Sequence, residues 1–197
     1  MNKELNELLL EIRQLQEEVE KRWDLVREQF NYTLEGHKVR FASEVKRLHQ
    51  QYKTGALKYL FTARPRIILT APFSYGMILP IAFLDISITI YQHICFRAYN
   101  IPRVSHRDYI VIDRHQLSYL NSIEKFNCVY CGYANGFIAY AQEIIARTEQ
   151  YWCPIKHAQR ILAAHDQYQD FSEYGDAENY QEELTALRKA LADLSEK

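Results

Sequence analysis

Between Ile67 and Phe96 the chain carries one full charge, Asp85, and the eighteen residues from Ile67 to Leu84 carry none. Where water is excluded, a backbone must satisfy its own polar groups. A run like this therefore belongs either in a hydrocarbon layer or inside protein. Eighteen residues of helix is roughly what a hydrocarbon core of about 30 Å requires. Pro72, Gly76 and Pro80 interrupt the first half, which predicts a re-entrant or interfacial hairpin bent at the prolines. From Pro80 a helix can run to Phe96. On it Asp85, Thr89, Gln92 and His93 fall at i, i+4, i+7 and i+8 and share a face. A polar stripe on an apolar helix should face protein or water. The alternation of Ile86, Ile88 and Ile90 with Ser87, Thr89 and Tyr91 also suits a buried strand, so a soluble core element is the rival reading.

The flanks are basic on both sides. Lys58, Arg64 and Arg66 precede the run, and Arg97, Arg103 and Arg107 follow it. Such symmetry gives no orientation by the positive-inside rule and fits both ends on the cytoplasmic side. Met1 to Glu20 alternates charge with leucine and lacks the basic, apolar and small-residue sequence of a signal peptide. The expected setting is therefore a cytoplasmic start with reduced thiols.

The first 63 residues read as amphipathic helix. Leu5, Leu8, Ile12, Leu15, Val19 and Val26 keep heptad a/d spacing, with Arg22 standing at one d position. The period then lengthens to eleven in Trp23, Leu34 and Val45, and again in Phe30, Phe41 and Tyr52. The expectation is one long helix, or two parted near Gly36, pairing either with its own chain or with a partner. After Gly175, Leu184, Leu187, Leu191 and Leu194 predict a short C-terminal amphipathic helix capped near Asp176.

The four cysteines are too few for a disulfide scaffold. Cys128 and Cys131 form a C-x2-C pair followed by Gly132, and Cys153 and His157 stand four apart. Together they spell C-x2-C-x21-C-x3-H, a Cys3His ligand set suited to structural zinc, with iron or an iron–sulfur cluster as the alternative. A thiol redox pair at Cys128 and Cys131, or plain packing of all four residues, are the competing readings. Cys95 reads as a buried neutral thiol. Tyr130, Tyr133, Tyr140, Tyr151 and Trp152 read as core packing, or as an apolar shell around a cofactor.

Between these landmarks, Tyr109–Ile112 predicts a strand, and Leu117, Leu120 and Ile123 a short helix. Asn135-Gly136 predicts a break before a helix over Phe137–Gln150, and Pro154 the start of another running to Tyr168. Asp113-Arg114-His115 reads as a surface turn, and Glu143 and Glu149 as solvated helix faces. Lys plus Arg is 24 against 25 for Asp plus Glu, a net charge of −1, which argues against a nucleic-acid-binding surface. Phosphate loops, nucleotide fingerprints and a Gly-flanked nucleophilic serine are not found.

Two resemblances attach to these residues. Cys128-Val129-Tyr130-Cys131-Gly132-Tyr133 resembles the first iron-binding knuckle of rubredoxins, and Cys153-Pro154 resembles the start of their second, although Lys156 stands where the other thiolate belongs. That implies a metal-binding geometry over about ten residues, with His157 as the substitute ligand. The longer run from Asn127 to Gly136, with Arg147-Thr148-Glu149-Gln150-Tyr151-Trp152-Cys153-Pro154-Ile155-Lys156-His157-Ala158, resembles a family of uncharacterised bacterial membrane-associated proteins. The resemblance extends back to about Pro72, implies a bacterial membrane-associated protein and brings no activity; the expected location is the bacterial inner membrane, with the metal module on the cytoplasmic side.

The expected architecture is mainly α. It comprises an amphipathic coiled-coil region over 1–63, an apolar membrane-inserted or interfacial segment over 64–97, a Cys3His module with minor β over 98–172 and a C-terminal helix over 173–197. The expected role is a membrane-associated, non-enzymatic zinc-binding interaction or scaffold protein that meets itself or a partner through its helical ends. The alternative is a redox protein.

Overall fold

A computed structural model describes residues 32–35 and 38–194. Nearer the N-terminus it describes residues 11, 14–15, 17–19, 21–23, 25 and 29–30. The heptad positions Leu5, Leu8, Ile12 and Val26, and Gly36, lie outside the described residues. The chain forms two compact units, 1–62 with 113–127, and 63–112 with 128–197.

In the first unit the described positions between 11 and 29 are helical. Leu15, Val19 and Trp23 are exposed there. Of the two expected arrangements, one continuous helix or two parted near Gly36, neither included strands: the helical stretches are parted by an antiparallel hairpin, β1 (Tyr32–Glu35) and β2 (Lys38–Phe41), with Tyr32 opposite Phe41 and Glu35 opposite Lys38. Aromatic and β-branched residues at Tyr32, Thr33, Val39 and Phe41 favour a pleated backbone, and the Tyr32 and Phe41 rings meet at 5.5 Å. The eleven-residue spacing through Leu34 and Phe41 therefore falls on strands and does not continue one helix. Two short helices follow, α1 (Ser43–Gln51) and α2 (Ala56–Thr62). Asn121 and Glu124 close this unit as reciprocal caps. The Asn121 side chain accepts from the Ile123 and Glu124 N–H groups, while Glu124 accepts from the Asn121 N–H.

In the second unit the apolar run is a nearly unbroken helical path of 35 residues, Pro65–Tyr99. It comprises α3 (Pro65–Gly76), α4 (Ile78–Tyr91), a π-helical turn (Gln92–Phe96) and α5 (Arg97–Tyr99). Met77, between α3 and α4, keeps helical torsions. The prolines thus do not bend the chain into a hairpin. Pro65 opens α3, where its missing N–H costs nothing, Pro72 is carried inside it, and Pro80 falls in the first turn of α4. The strand alternative at Ile86–Ile90 is also replaced by helix.

Asn100 ends the path in the left-handed conformation (φ 56°, ψ 39°), which a short polar side chain tolerates. The chain then turns back through the short α6 (His106–Tyr109) and enters α7 (Ser122–Trp152). Tyr109 ends α6, and Ile110–Ile112 is irregular, where a strand was expected.

Pairs running in one direction set α7 parallel to the apolar helix. The Tyr130 hydroxyl donates to the Ser74 carbonyl, Tyr133 meets Asp85, Tyr140 meets Thr89, Tyr91 meets Thr148, and Tyr99 stacks on Tyr151. The core between them comprises Phe96, Ile101, Val104, Phe137, Tyr140, Ala141 and Ile144, with Leu191 of the C-terminal helix α8 (Tyr180–Asp193). That helix matches the leucine spacing, with Leu184 and Leu191 buried.

The break expected at Asn135-Gly136 is absent because Gly136 has another purpose. A Cβ there would sit 2.6 Å from the Tyr109 carbonyl and 2.8 Å from the Ile110 Cα. Gly136 is what lets the returning backbone lie against the helix. The helix expected from Pro154 to Tyr168 is replaced by irregular chain, a single parallel bridge between Ile155 and Ser172, and a 3-10 turn at Asp166–Asp170.

Candidate functional site

The polar stripe on the apolar helix forms a side-chain network that centres on Asp85. The Asp85 carboxylate accepts from three donors. Tyr133 gives its hydroxyl to Oδ2 at 2.8 Å, His106 Nε2 reaches the same oxygen at 3.2 Å, and the Thr89 hydroxyl approaches Oδ1 at 3.4 Å. The α-helical i, i+4 spacing brings Thr89 over Asp85, α7 supplies Tyr133, and the chain reversal after Asn100 brings back His106.

The network continues one turn further. The Gln92 amide nitrogen donates to the Val104 carbonyl at 3.3 Å and to the Tyr140 hydroxyl, and its oxygen accepts from the Val104 N–H at 3.0 Å. Because Gln92 fills the acceptor side of Tyr140, the Tyr140 hydroxyl donates to Thr89, 3.2 Å away. Thr89 is then left to donate to Asp85. The hydroxyls are thus polarised toward one carboxylate, a cooperative arrangement in a low-dielectric setting. The π-helical turn helps build this face, since it turns both Gln92 and Phe96 into the protein, where they are buried.

Burial pushes the Tyr133 phenol up to about 12, and its hydrogen bond to Asp85 and the charge of that carboxylate add to the effect. The phenol therefore stays a donor across the physiological range.

Asp85, Thr89, Gln92 and His93 line an open cleft of about 390 Å³, together with Val104, His106, Tyr140, Ile86 and Ile90. Its volume is in the range of small-ligand sites. His93 turns Nδ1 to the Thr89 carbonyl at 2.7 Å. The stripe read from the sequence is therefore brought together. His106, Tyr133 and Tyr140, which complete it, come from distant parts of the chain, and only the i, i+7 spacing of the two tyrosines on a helix hinted that they share a face.

The cysteines are arranged differently. Cys128 and Cys131 lie within α7, three residues apart on one face, and Cys131 is exposed. Cys153 is exposed just past the end of the same helix, and His157 is in irregular chain. The helix between Cys131 and Cys153 is about 33 Å long at 1.5 Å per residue. Among the described residues, no three His, Cys, Asp or Glu side chains are grouped to hold a metal ion. Cys128 and Cys131 thus stand apart from Cys153 along the helix. Tyr99, Tyr151 and Trp152 pack on one another near Cys153.

Glu143 and Glu149 are not solvated faces. Glu143 holds Arg147 at 2.8 Å and Gln167 at 3.0 Å, and Glu149 holds His165 at 3.0 Å. Arg147 also donates to the Pro102 carbonyl at 2.7 Å. These bonds tie the irregular chain on both sides of α7 to that helix.

Compared with protein-family models, with curated proteins and with solved structures, the chain matches none.

Proposed function

We propose that this is a membrane-attached helical protein, held by the Pro65–Tyr99 helix, which presents its remaining helices for protein contacts and performs no chemistry of its own. One observation carries the reading. The helix is long and apolar enough to cross a bilayer, and none of its most apolar eighteen-residue window is buried in protein. Leu69, Phe73, Leu79, Phe83, Ile86, Ile90 and Ile94 are all exposed, far more contiguous apolar surface than a soluble monomer leaves in water. Lys58 and Arg64 precede it, Arg66 and Arg97 lie near its two ends, and Arg103 and Arg107 follow it, a basic pattern that complements anionic headgroups. The family resemblance extends the proposal to a bacterial inner membrane, with the cysteines on the reducing, cytoplasmic side. Exposed Leu15, Val19 and Trp23 offer a contact surface for a partner or a second copy.

The test is fractionation. The full chain should pellet with membranes and resist a carbonate wash, and Leu79→Asp with Phe83→Asp should release it. Wild-type protein that stays monodisperse in detergent-free buffer defeats the reading.

Metal binding is the second reading. It is supported by Cys128 and Cys131 sharing one face of α7 with Cys131 exposed. Two thiolates at this spacing can hold half a tetrahedral zinc site, with the other half drawn from a second chain. Elemental analysis tests it. Stoichiometric zinc lost in Cys131→Ser supports zinc, visible absorption supports thiolate-bound iron or a cluster, and a metal-free protein removes both.

A further inference from the structure

We propose that the cleft beside Asp85 binds a primary ammonium group carried on an apolar chain. The proposal deepens the membrane reading above and takes its geometry from the hydrogen bonds alone. A carboxylate and a backbone carbonyl can only accept, so each fixes the tautomer of the neutral imidazole facing it. His106 presents Nε2 to Asp85 at 3.2 Å, which places the proton on Nε2 and leaves a lone pair on Nδ1. His93 presents Nδ1 to the Thr89 carbonyl at 2.7 Å, which leaves the lone pair on Nε2.

Asp85 Oδ2 is filled by Tyr133 and His106, while Oδ1 receives only the long bond from Thr89. Gln92 spends both ends of its amide on Val104 and Tyr140, and Tyr140 and Thr89 spend their hydroxyl protons within the network. With both imidazoles in their neutral form, the side-chain polar positions left uncommitted among the lining residues are three acceptors, one of them charged. An ammonium group brings three N–H donors and one positive charge, which is the matching complement. A divalent metal needs ligands converging near 2 Å, and no such grouping exists among the described residues. Hydrogen bonds near 2.9 Å tolerate the wider spacing. Ile86 and Ile90 of the cleft are exposed on the outward apolar face, so the substituent on the ammonium leaves toward hydrocarbon. A lipid headgroup amine and a free long-chain amine share this chemistry.

The experiment is calorimetric titration of octylammonium into the full-length protein in neutral detergent. The controls are octyltrimethylammonium, which has charge but no N–H, and octanol. Saturable binding of octylammonium is expected, about tenfold or more tighter than either control, since a hydrogen bond to a charged partner is worth about that ratio or more. Asp85→Asn should lose it. His93→Ala, at an exposed position and so safe for the fold, should weaken it severalfold. Equal binding of the trimethyl analogue, or binding untouched in both variants, overturns the proposal. So does zinc displacing octylammonium at the same site.

Phosphatidylethanolamine vesicles that compete where phosphatidylcholine vesicles do not identify a lipid headgroup. Failure of both to compete identifies a free amine. Flotation with phosphatidylcholine vesicles reports membrane attachment separately. Loss of ammonium binding with flotation intact sinks this inference alone, and the converse sinks the anchor alone.

Discussion

The two ends of the Pro65–Tyr99 helix have similar composition and opposite surroundings. From Pro65 to Thr70 every residue is exposed, whereas from Asp85 onward the helix keeps one face against α7 and the returning chain, with Gln92 and Phe96 buried. Hydropathy does not separate the two ends. What separates them is the placement of a few polar residues at helical spacing. Each supplies a hydrogen bond that only protein can complete in that direction, and the apolar residues between them are left to face outward.

Paired truncations give the largest test of this contrast. Phe96→Ala, at a fully buried side chain, should cost about 3–5 kcal/mol in denaturant unfolding of the micelle-bound protein. Phe73→Ala, 81% exposed, should change stability by less than about 0.5 kcal/mol while weakening vesicle binding. Similar losses at both sites would erase the distinction. Next comes Gly136→Ala. The new methyl meets backbone on the opposite side, and yielding backbone costs about 1–3 kcal/mol. An unchanged midpoint would mean that the returning chain does not lie against α7.

Tyr140→Phe should cost a little less, about 1–2 kcal/mol, by removing one acceptor from the buried Gln92 amide and the donor that Thr89 accepts from. Thr70→Val, where the hydroxyl bonds only its own helix at Ile67, is the control at the uncovered end and should be near neutral. The smallest effect is spectroscopic. Tyr133 has its folded pKa raised from 10.0 to about 12. The stabilisation this implies is complete below pH 10 and fades as pH climbs toward 12. An alkaline absorbance titration of Tyr133→Phe should therefore lack one late-ionising phenol. A missing phenol near pH 10 instead would mean that Asp85 and Tyr133 are apart.

Sequence reasoning succeeded where the signal is local and periodic. The apolar run, the stripe of Asp85, Thr89, Gln92 and His93, and the leucines of α8 each lie on one helix, so spacing alone places them. It failed where a residue answers to something distant. Gly136 looked like a helix break because its partners, Tyr109 and Ile110, lie more than twenty residues earlier. Pro154 looked like a helix start, but the Ser172 N–H bonds to its carbonyl and the chain beyond is pinned by Lys156–Glu173. Gly136 also bears on the Cys3His pattern. Because the helix runs through position 136 without a break, α7 is a spacer that holds Cys131 and Cys153 apart. Tyr32–Phe41 was read with its helical neighbours because aromatic residues suit either period, and cross-strand pairing decided between them.

The π-helical turn at Gln92–Phe96 has a consequence for insertions and deletions. Such a turn holds one residue more than an α-helical turn would, and each residue of α-helix rotates the chain by about 100°. Removing one residue there would return the turn to α-helix, in which four residues cover about the same rotation as five at π-helical pitch, so the helix beyond would keep its facing and lose only the bulge that turns Gln92 and Phe96 into the core. A residue added to the α-helix on either side has no such turn to absorb it and would swing everything beyond it by about 100°.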